Sequence, residues 1–227
     1  DAAGDANYGN FLGGVSVAGI LPVSDYHSFS AGIQIGFGQY SAKLSKLTWG
    51  NQFDGEGFDT EINSNEVGSL SSKLYTDIGA GIYYKFQNSS QYFLGSEIKS
   101  FNVGLAAYHI NKPKQDFLGV AEEQLNMKIV GQFSGTFDMG GSSVALVPSM
   151  FYAQQLKYKE ITAGLLIKIG FGSETRYSGL FKQSAILFGA HYRVSDAIIP
   201  QFYLQFSDFM FGVSYDYNNS SLSDATN

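Results

Sequence analysis

The chain has no cysteine, so it has neither disulfides nor thiolate metal sites, which suits an envelope protein that does without both. Prolines number four and tryptophan one. Charged residues make up 15%, well below the usual quarter of a soluble domain. The formal net charge of −6 argues against nucleic acid as a partner. No apolar run approaches the roughly 18 residues of a transmembrane helix. His27, His109 and His191 are the only histidines, and no i, i+2 or i, i+4 pair occurs among them, so a metal site is not expected. No cofactor is expected either. The opening, "DAAGDANYGN", reads as the start of a mature chain or as an interior part of a longer one.

What the chain does have is 27 glycines, 19 phenylalanines and 15 tyrosines in 227 residues, arranged with a period of two. In "DFMFGVSYDY" (208–217), Phe209, Phe211, Val213, Tyr215 and Tyr217 alternate with Met210, Gly212, Ser214 and Asp216. The same alternation predicts strands over 10–23, 28–40, 76–86, 96–110, 125–139, 143–157, 160–171, 184–195 and 197–207. These are about ten strands of roughly 10–14 residues, where soluble strands run five or six and a tilted membrane strand needs roughly 9–11. The large apolar residues stay on one face from end to end; the other carries Gly, Ser, Gln, Lys and Asp. A soluble sandwich or ligand-carrying barrel would turn the large face inward, but a ten-strand interior could hardly hold so many rings. Tyr and Phe also fall near strand ends, as an interfacial girdle requires. The expectation is an all-β fold, an antiparallel transmembrane β-barrel with the aromatic face in lipid, forming a single domain over 1–227.

Sites of chemistry are scarce. The glycine-spaced segments lie on strands, so a phosphate-binding reading is very weak. Residues 43–75 read as one long polar loop; its acids Asp54, Glu56, Asp59, Glu61 and Glu66 lack the spacing of a calcium loop. Lys85, Lys128, Lys168, Asp77 and Asp138 on the polar faces predict a wet or polar-packed interior. An outer-membrane hydrolase would need a Ser, His and Asp triad, of which the sequence gives no sign, so no enzyme is expected. Three strand ends stand out. If the strands alternate in direction, the ends near 108, 193 and 217 emerge at one rim. That rim would carry His109, Asn111, Arg193, Asp196 and Asp216 near Tyr108, Tyr192, Tyr215 and Tyr217. It reads either as a girdle with turn residues or as a docking surface for a partner or plug.

"YHINKPKQ" (108–115), "ALVPSMFYAQQ" (145–155), "HYRVSDAIIPQ" (191–201) and "GVSYDYNNSSL" (212–222), in that order, resemble the PorP/SprF family of Bacteroidota outer-membrane proteins. The resemblance covers roughly residues 10–222. It implies an outer-membrane barrel of about fourteen strands, of which this chain would lack strands at both ends. It implies work with the type IX secretion system, in export or cell-surface anchoring of large proteins with a C-terminal sorting domain, gliding adhesins among them. Implied partners are that cargo, other type IX secretion components and outer-membrane lipid. Tyr108, His109, Asn111 and Pro113, then Tyr192, Arg193, Asp196 and Pro200, then Tyr215, Asp216 and Tyr217, occupy the family's motif positions, and no catalytic role comes with them. The alternative function is a general outer-membrane porin or solute channel.

Overall fold

The computed structural model describes residues 2–3, 8–41, 47–59, 61–64, 73–88, 99–114, 124–139, 143–171, 184–206 and 209–220. These residues are strands and turns, with one 3-10 turn at Gly50–Gln52. The strands are β1 (Ala2–Ala3), β2 (Tyr8–Ser24), β3 (His27–Ser41), β4 (Lys73–Asn88), β5 (Lys99–Tyr108) and β6 (Lys128–Asp138), followed by β7 (Val144–Gln155), β8 (Tyr158–Phe171), β9 (Ser184–Arg193), β10 (Ala197–Phe206), β11 (Phe209–Ser214) and β12 (Tyr217–Asn218). They form one antiparallel sheet in which every strand from β1 to β11 lies next to its sequence neighbours, and β12 joins β10. Among the described residues no pairing joins β1 to β11. Each of the ten predicted strands has a counterpart among the described residues, with 96–98 and 207–208 of the predicted spans lying outside them; β2 with 17 residues, β4 with 16 and β8 with 14 run as long as a bilayer crossing requires, whereas β11 has 6.

The chain groups into two compact units, Asp1–Val17, Ile33–Ala80 and Tyr108–Met127 in the first, Ala18–Gly32, Gly81–Ala107 and Lys128–Asn227 in the second. Within the second, β7 to β10 pair in unbroken antiparallel order, with Pro148 opposite Leu165, Leu165 opposite Ala190 and Ala190 opposite Pro200. Exposure separates the two faces. Leu165 is 43% exposed and its neighbour Leu166 8%; Ile198 is 42% and Ile199 6%. The exposed face is the one the alternation assigns to large apolar residues, including Phe188, Phe202 and Phe206. The covered face holds Ala145, Ala153, Ala185 and Ala197, with a small apolar nucleus of Leu166, Ala185 and Leu187 against Val147 and Tyr203. Lys128 and Lys168 are half-buried there, whereas Lys85 is exposed. The first unit follows the same rule: Gly36, Gly38 and Gly79 are buried while Ile33, Ile35, Phe37 and Ile78 are exposed.

An aromatic row crosses β3 to β6 in the second unit. Phe29 meets Tyr84 at 4.7 Å between ring centroids, Phe86 meets Phe101 at 5.4 Å, and Phe101 meets Phe133 at 6.4 Å. His27 joins it, with Nδ1 2.7 Å from the Tyr84 hydroxyl. Rings gathered toward strand ends, one carrying a polar tip, are the make-up of an interfacial belt.

Two prolines interrupt ladders that otherwise keep one register. Between β6 and β7 the pairs Ser134–Ser149 and Phe137–Leu146 share a register, and the ladder skips the two steps between them, where Gly135 stands opposite Pro148 and Thr136 opposite Val147. Between β10 and the last strand, Gln201–Ser214 and Ile198–Tyr217 also share one register. β11 and β12 are therefore one strand with a gap at Pro200, matching the single strand expected over 208–217. The Tyr215 N–H donates to the Pro200 carbonyl at 3.2 Å, but proline has no N–H to return.

Candidate partner-binding clusters at the strand ends

The predicted rim residues fall into two clusters, one in each unit. In the second unit, β9 ends at Arg193 and the chain turns back through Val194, Ser195 and Asp196. The Asp196 N–H donates to the Arg193 carbonyl at 3.1 Å, and Ser195 takes the left-handed conformation at φ 60. This tight turn brings the Asp196 carboxylate back onto the guanidinium, whose Nη1 donates to Asp196 Oδ2 at 2.8 Å. Nη2 donates to Asp216 Oδ2 at 3.2 Å, within the gap between β11 and β12. Nε is covered and makes no hydrogen bond; Glu160 Oε1 of β8 lies 3.9 Å from it. One cation thus meets three carboxylates from three elements, leaving an excess of negative charge. The backbone closes the same assembly, since the Asn219 N–H donates to the Asp196 carbonyl at 2.7 Å.

In the first unit, β5 ends at Tyr108 and the chain turns with His109 and Lys112 both at positive φ, 57 and 44. Asn111 lies across this turn as a surrogate strand. Its Oδ1 accepts the Ile78 N–H at 3.1 Å and its Nδ2 donates to the Thr76 carbonyl at 2.7 Å, so one side chain satisfies both backbone groups. The Ile110 N–H continues the ladder onto the Ile78 carbonyl at 3.0 Å. His109 Nδ1 stands 2.9 Å from Asp77 Oδ1, both half-buried, without hydrogen-bond angles between them. Pro113 is buried, and its carbonyl accepts the Leu125 N–H at 2.9 Å.

Strand alternation divides the predicted set further. Arg193 and Asp216 sit on the covered-face positions of their strands, whereas Tyr192, Tyr215 and Tyr217 sit on the exposed-face positions and are exposed. The charged residues therefore form a clasp, and these tyrosines form an outward aromatic edge. Pro200 belongs to neither; it sets the ladder gap.

Other polar contacts, Glu160 with Arg193 and Ser149 with His191 among them, are not displayed by the sequence. Glu160 joins the clasp because β8 pairs Thr162 with Arg193, a register the sequence does not display. Ser149 Oγ and His191 Nε2 meet at 2.5 Å across the covered face. Both residues stand opposite Gly164, and the imidazole lies over the spot where a Cβ on Gly164 would project, so the absence of that atom lets the ring reach Ser149. Among the described residues the other ring nitrogen of His191, Nδ1, is buried without a hydrogen-bond partner that could orient the ring as a catalytic triad requires. Among the described residues no group of three or more His, Asp or Glu is placed to hold a metal ion.

No curated protein matches the chain. A protein family does: the one described as Type IX secretion system membrane protein PorP/SprF matches residues 1–227. A membrane protein is what long strands bearing phenylalanine, isoleucine and leucine outward require, and the chain belongs to the PorP/SprF family of type IX secretion system membrane proteins.

Proposed function

We propose that this chain belongs to an outer-membrane β-barrel of about fourteen strands, some of them outside this chain, and, without catalysing a reaction, anchors or helps export type IX cargo at the cell surface. The cargo would be a large protein with a C-terminal sorting domain, such as a gliding adhesin. The observation that carries the barrel reading is the reversal of faces: large apolar side chains are exposed and small or polar ones are covered. In water such an apolar surface is costly; in lipid it is the required one. Within that reading, the strand-end clusters are the partner surface. Arg193 with Asp196, Asp216 and Glu160 offers a preset guanidinium and surplus carboxylates, which suit a partner that brings its own lysine or arginine. Tyr192, Tyr215 and Tyr217 supply exposed rings beside it, and tyrosine and arginine are common at the energetic centres of interfaces. His109, Asn111 and Tyr108 would serve in the same way from the first unit.

The test is retention of the secreted partner on the cell surface with barrel abundance held equal. His109→Ala, Arg193→Ala and Asp196→Ala combined should release the partner, and Arg193→Ala alone should weaken retention more than Lys46→Ala. Unchanged retention in the triple variant would reduce both clusters to turn and girdle. Conductance separates the porin reading: the purified barrel in planar bilayers should carry little steady current, and large stable currents would favour a channel.

A further inference from the structure

Residues 47–59 and 61–64 of the first unit hold a structure of their own, built around Gln52. Its Oε1 accepts the Trp49 N–H at 3.0 Å, its Nε2 donates to the Ile62 carbonyl at 3.0 Å, and its own carbonyl accepts the Asp59 N–H at 2.9 Å. A miniature hairpin stands on this frame. Phe53 bridges to Phe58, and between them the Asp54 N–H donates to the Gly57 carbonyl at 3.1 Å. The Asp54 carboxylate accepts the N–H groups of Glu56 at 2.9 Å and Gly57 at 2.8 Å. The Phe53 and Phe58 rings are set edge to face with centroids 5.6 Å apart, and they remain 51% and 59% exposed. From 48 to 64 the chain carries Asp54, Glu56, Asp59 and Glu61 and no lysine or arginine.

We propose that the Phe53–Phe58 knob is a docking element for a protein surface that presents an apolar pocket rimmed by lysine or arginine. The rings project from a loop and take no part in the alternation that turns apolar side chains outward along the strands. The bridge and the turn beneath them hold the backbone that carries both rings, and the rings rest on each other, so docking orders little further chain, which is the usual economy of a preorganised anchor. Aromatic anchors ringed by polar groups are the pattern of interface centres. The charge selects the partner: carboxylates around the rings oppose entry into an anionic membrane surface and favour a basic protein rim. None of these residues belongs to the strand-end clusters, so the two surfaces fail or stand separately.

The experiment places the photo-crosslinking analogue p-benzoylphenylalanine at position 53, and separately at 58, in the full chain in native membranes, and maps the adduct by mass spectrometry. The expected adduct is with one protein, at an apolar residue flanked by lysine or arginine. Glu56→Gln with Glu61→Gln leaves the Asp54 and Asp59 hydrogen bonds in place and should lower the adduct yield about threefold to tenfold, from two exposed ion pairs. Phe58→Ser with the analogue at 53 should lower it about tenfold, as for loss of an interface anchor. An adduct with lipid or lipopolysaccharide alone, a protein adduct indifferent to the two glutamate substitutions, or no adduct from either position overturns the proposal.

Discussion

Strands β9 and β11 both pair with β10 and carry the same alternation, yet their surroundings differ. In β9 the covered-face residues Ala185 and Leu187 are buried while Phe188 and Tyr192 are exposed. In β11 every residue is exposed, Phe211 and Val213 at 64% and 70%. β9 has neighbours on both sides, β8 and β10, whose side chains crowd its covered face; among the described residues β11 has β10 alone on its path. Alternation thus states which residues share a face, and cover is supplied by the strands alongside.

The largest effect that bears on this contrast concerns the face common to both regions. Ile167→Arg in β8 and Phe211→Arg in β11 should each cost about 2–4 kcal/mol if the sites lie near mid-bilayer, measured by denaturant unfolding in lipid vesicles. Both positions point to lipid under the barrel reading, so the difference in cover should not matter there. A harmless arginine at both would reverse the faces.

The other face should respond unequally. A Cβ on Gly189 would press on the Leu165 carbonyl oxygen and lie 2.9 Å from Leu166 Cα, both backbone atoms that cannot step aside. Gly189→Ala should cost about 1–3 kcal/mol by overpacking. A Cβ on Gly212 would instead meet the Tyr203 ring, a side chain with more room to shift than backbone has. Gly212→Ala should cost under about 1 kcal/mol, near the bound for tolerated changes. Equal losses in the same unfolding assay would mean that β11 is packed as tightly as β9.

The smallest effect is a control away from the sheet. Hydrogen bonds from the Glu56 and Gly57 N–H groups hold the Asp54 carboxyl below its ordinary value of 3.8. A lowered value means the folded loop prefers the ionised form. The contribution is complete above the ordinary value and is lost as pH falls through the lowered one. Amide exchange at Glu56 and Gly57 should therefore rise, relative to the strands, only below about pH 4, and Asp54→Asn should flatten that response.

The strands and their faces were legible because a period of two needs no partner to be seen; Ile161, Ala163, Leu165 and Ile167 alternate with Thr162, Gly164 and Lys168 on their own. Arg193, Asp196 and Asp216 were legible as strand-end residues. Their division from Tyr192 and Tyr215 was implicit in the same alternation, but proximity along the chain obscured it. Register was not legible. Glu160 reaches Arg193, and Ser149 reaches His191 over Gly164, only because β7, β8 and β9 align as they do. The Asn111 bonds to Thr76 and Ile78 link residues more than thirty apart in the sequence. The hairpin under Phe53 and Phe58 lay inside what read as one polar loop, since a two-residue bridge is too short for any period.

The missing donor at Pro200 has a consequence in time. Cooperative opening proceeds in contiguous blocks, and a ladder parts most readily where a bond is already absent. Asp216, Tyr217, Asn218 and Asn219 are thereby a block distinct from Phe209–Ser214, fastened through Ile198, the Asp196 carbonyl and the bond from the Arg193 guanidinium to Asp216. A charge carried by an incoming partner that drew Arg193 away would loosen that block alone, so the end of the strand could answer a binding event while the rest of the sheet kept its register.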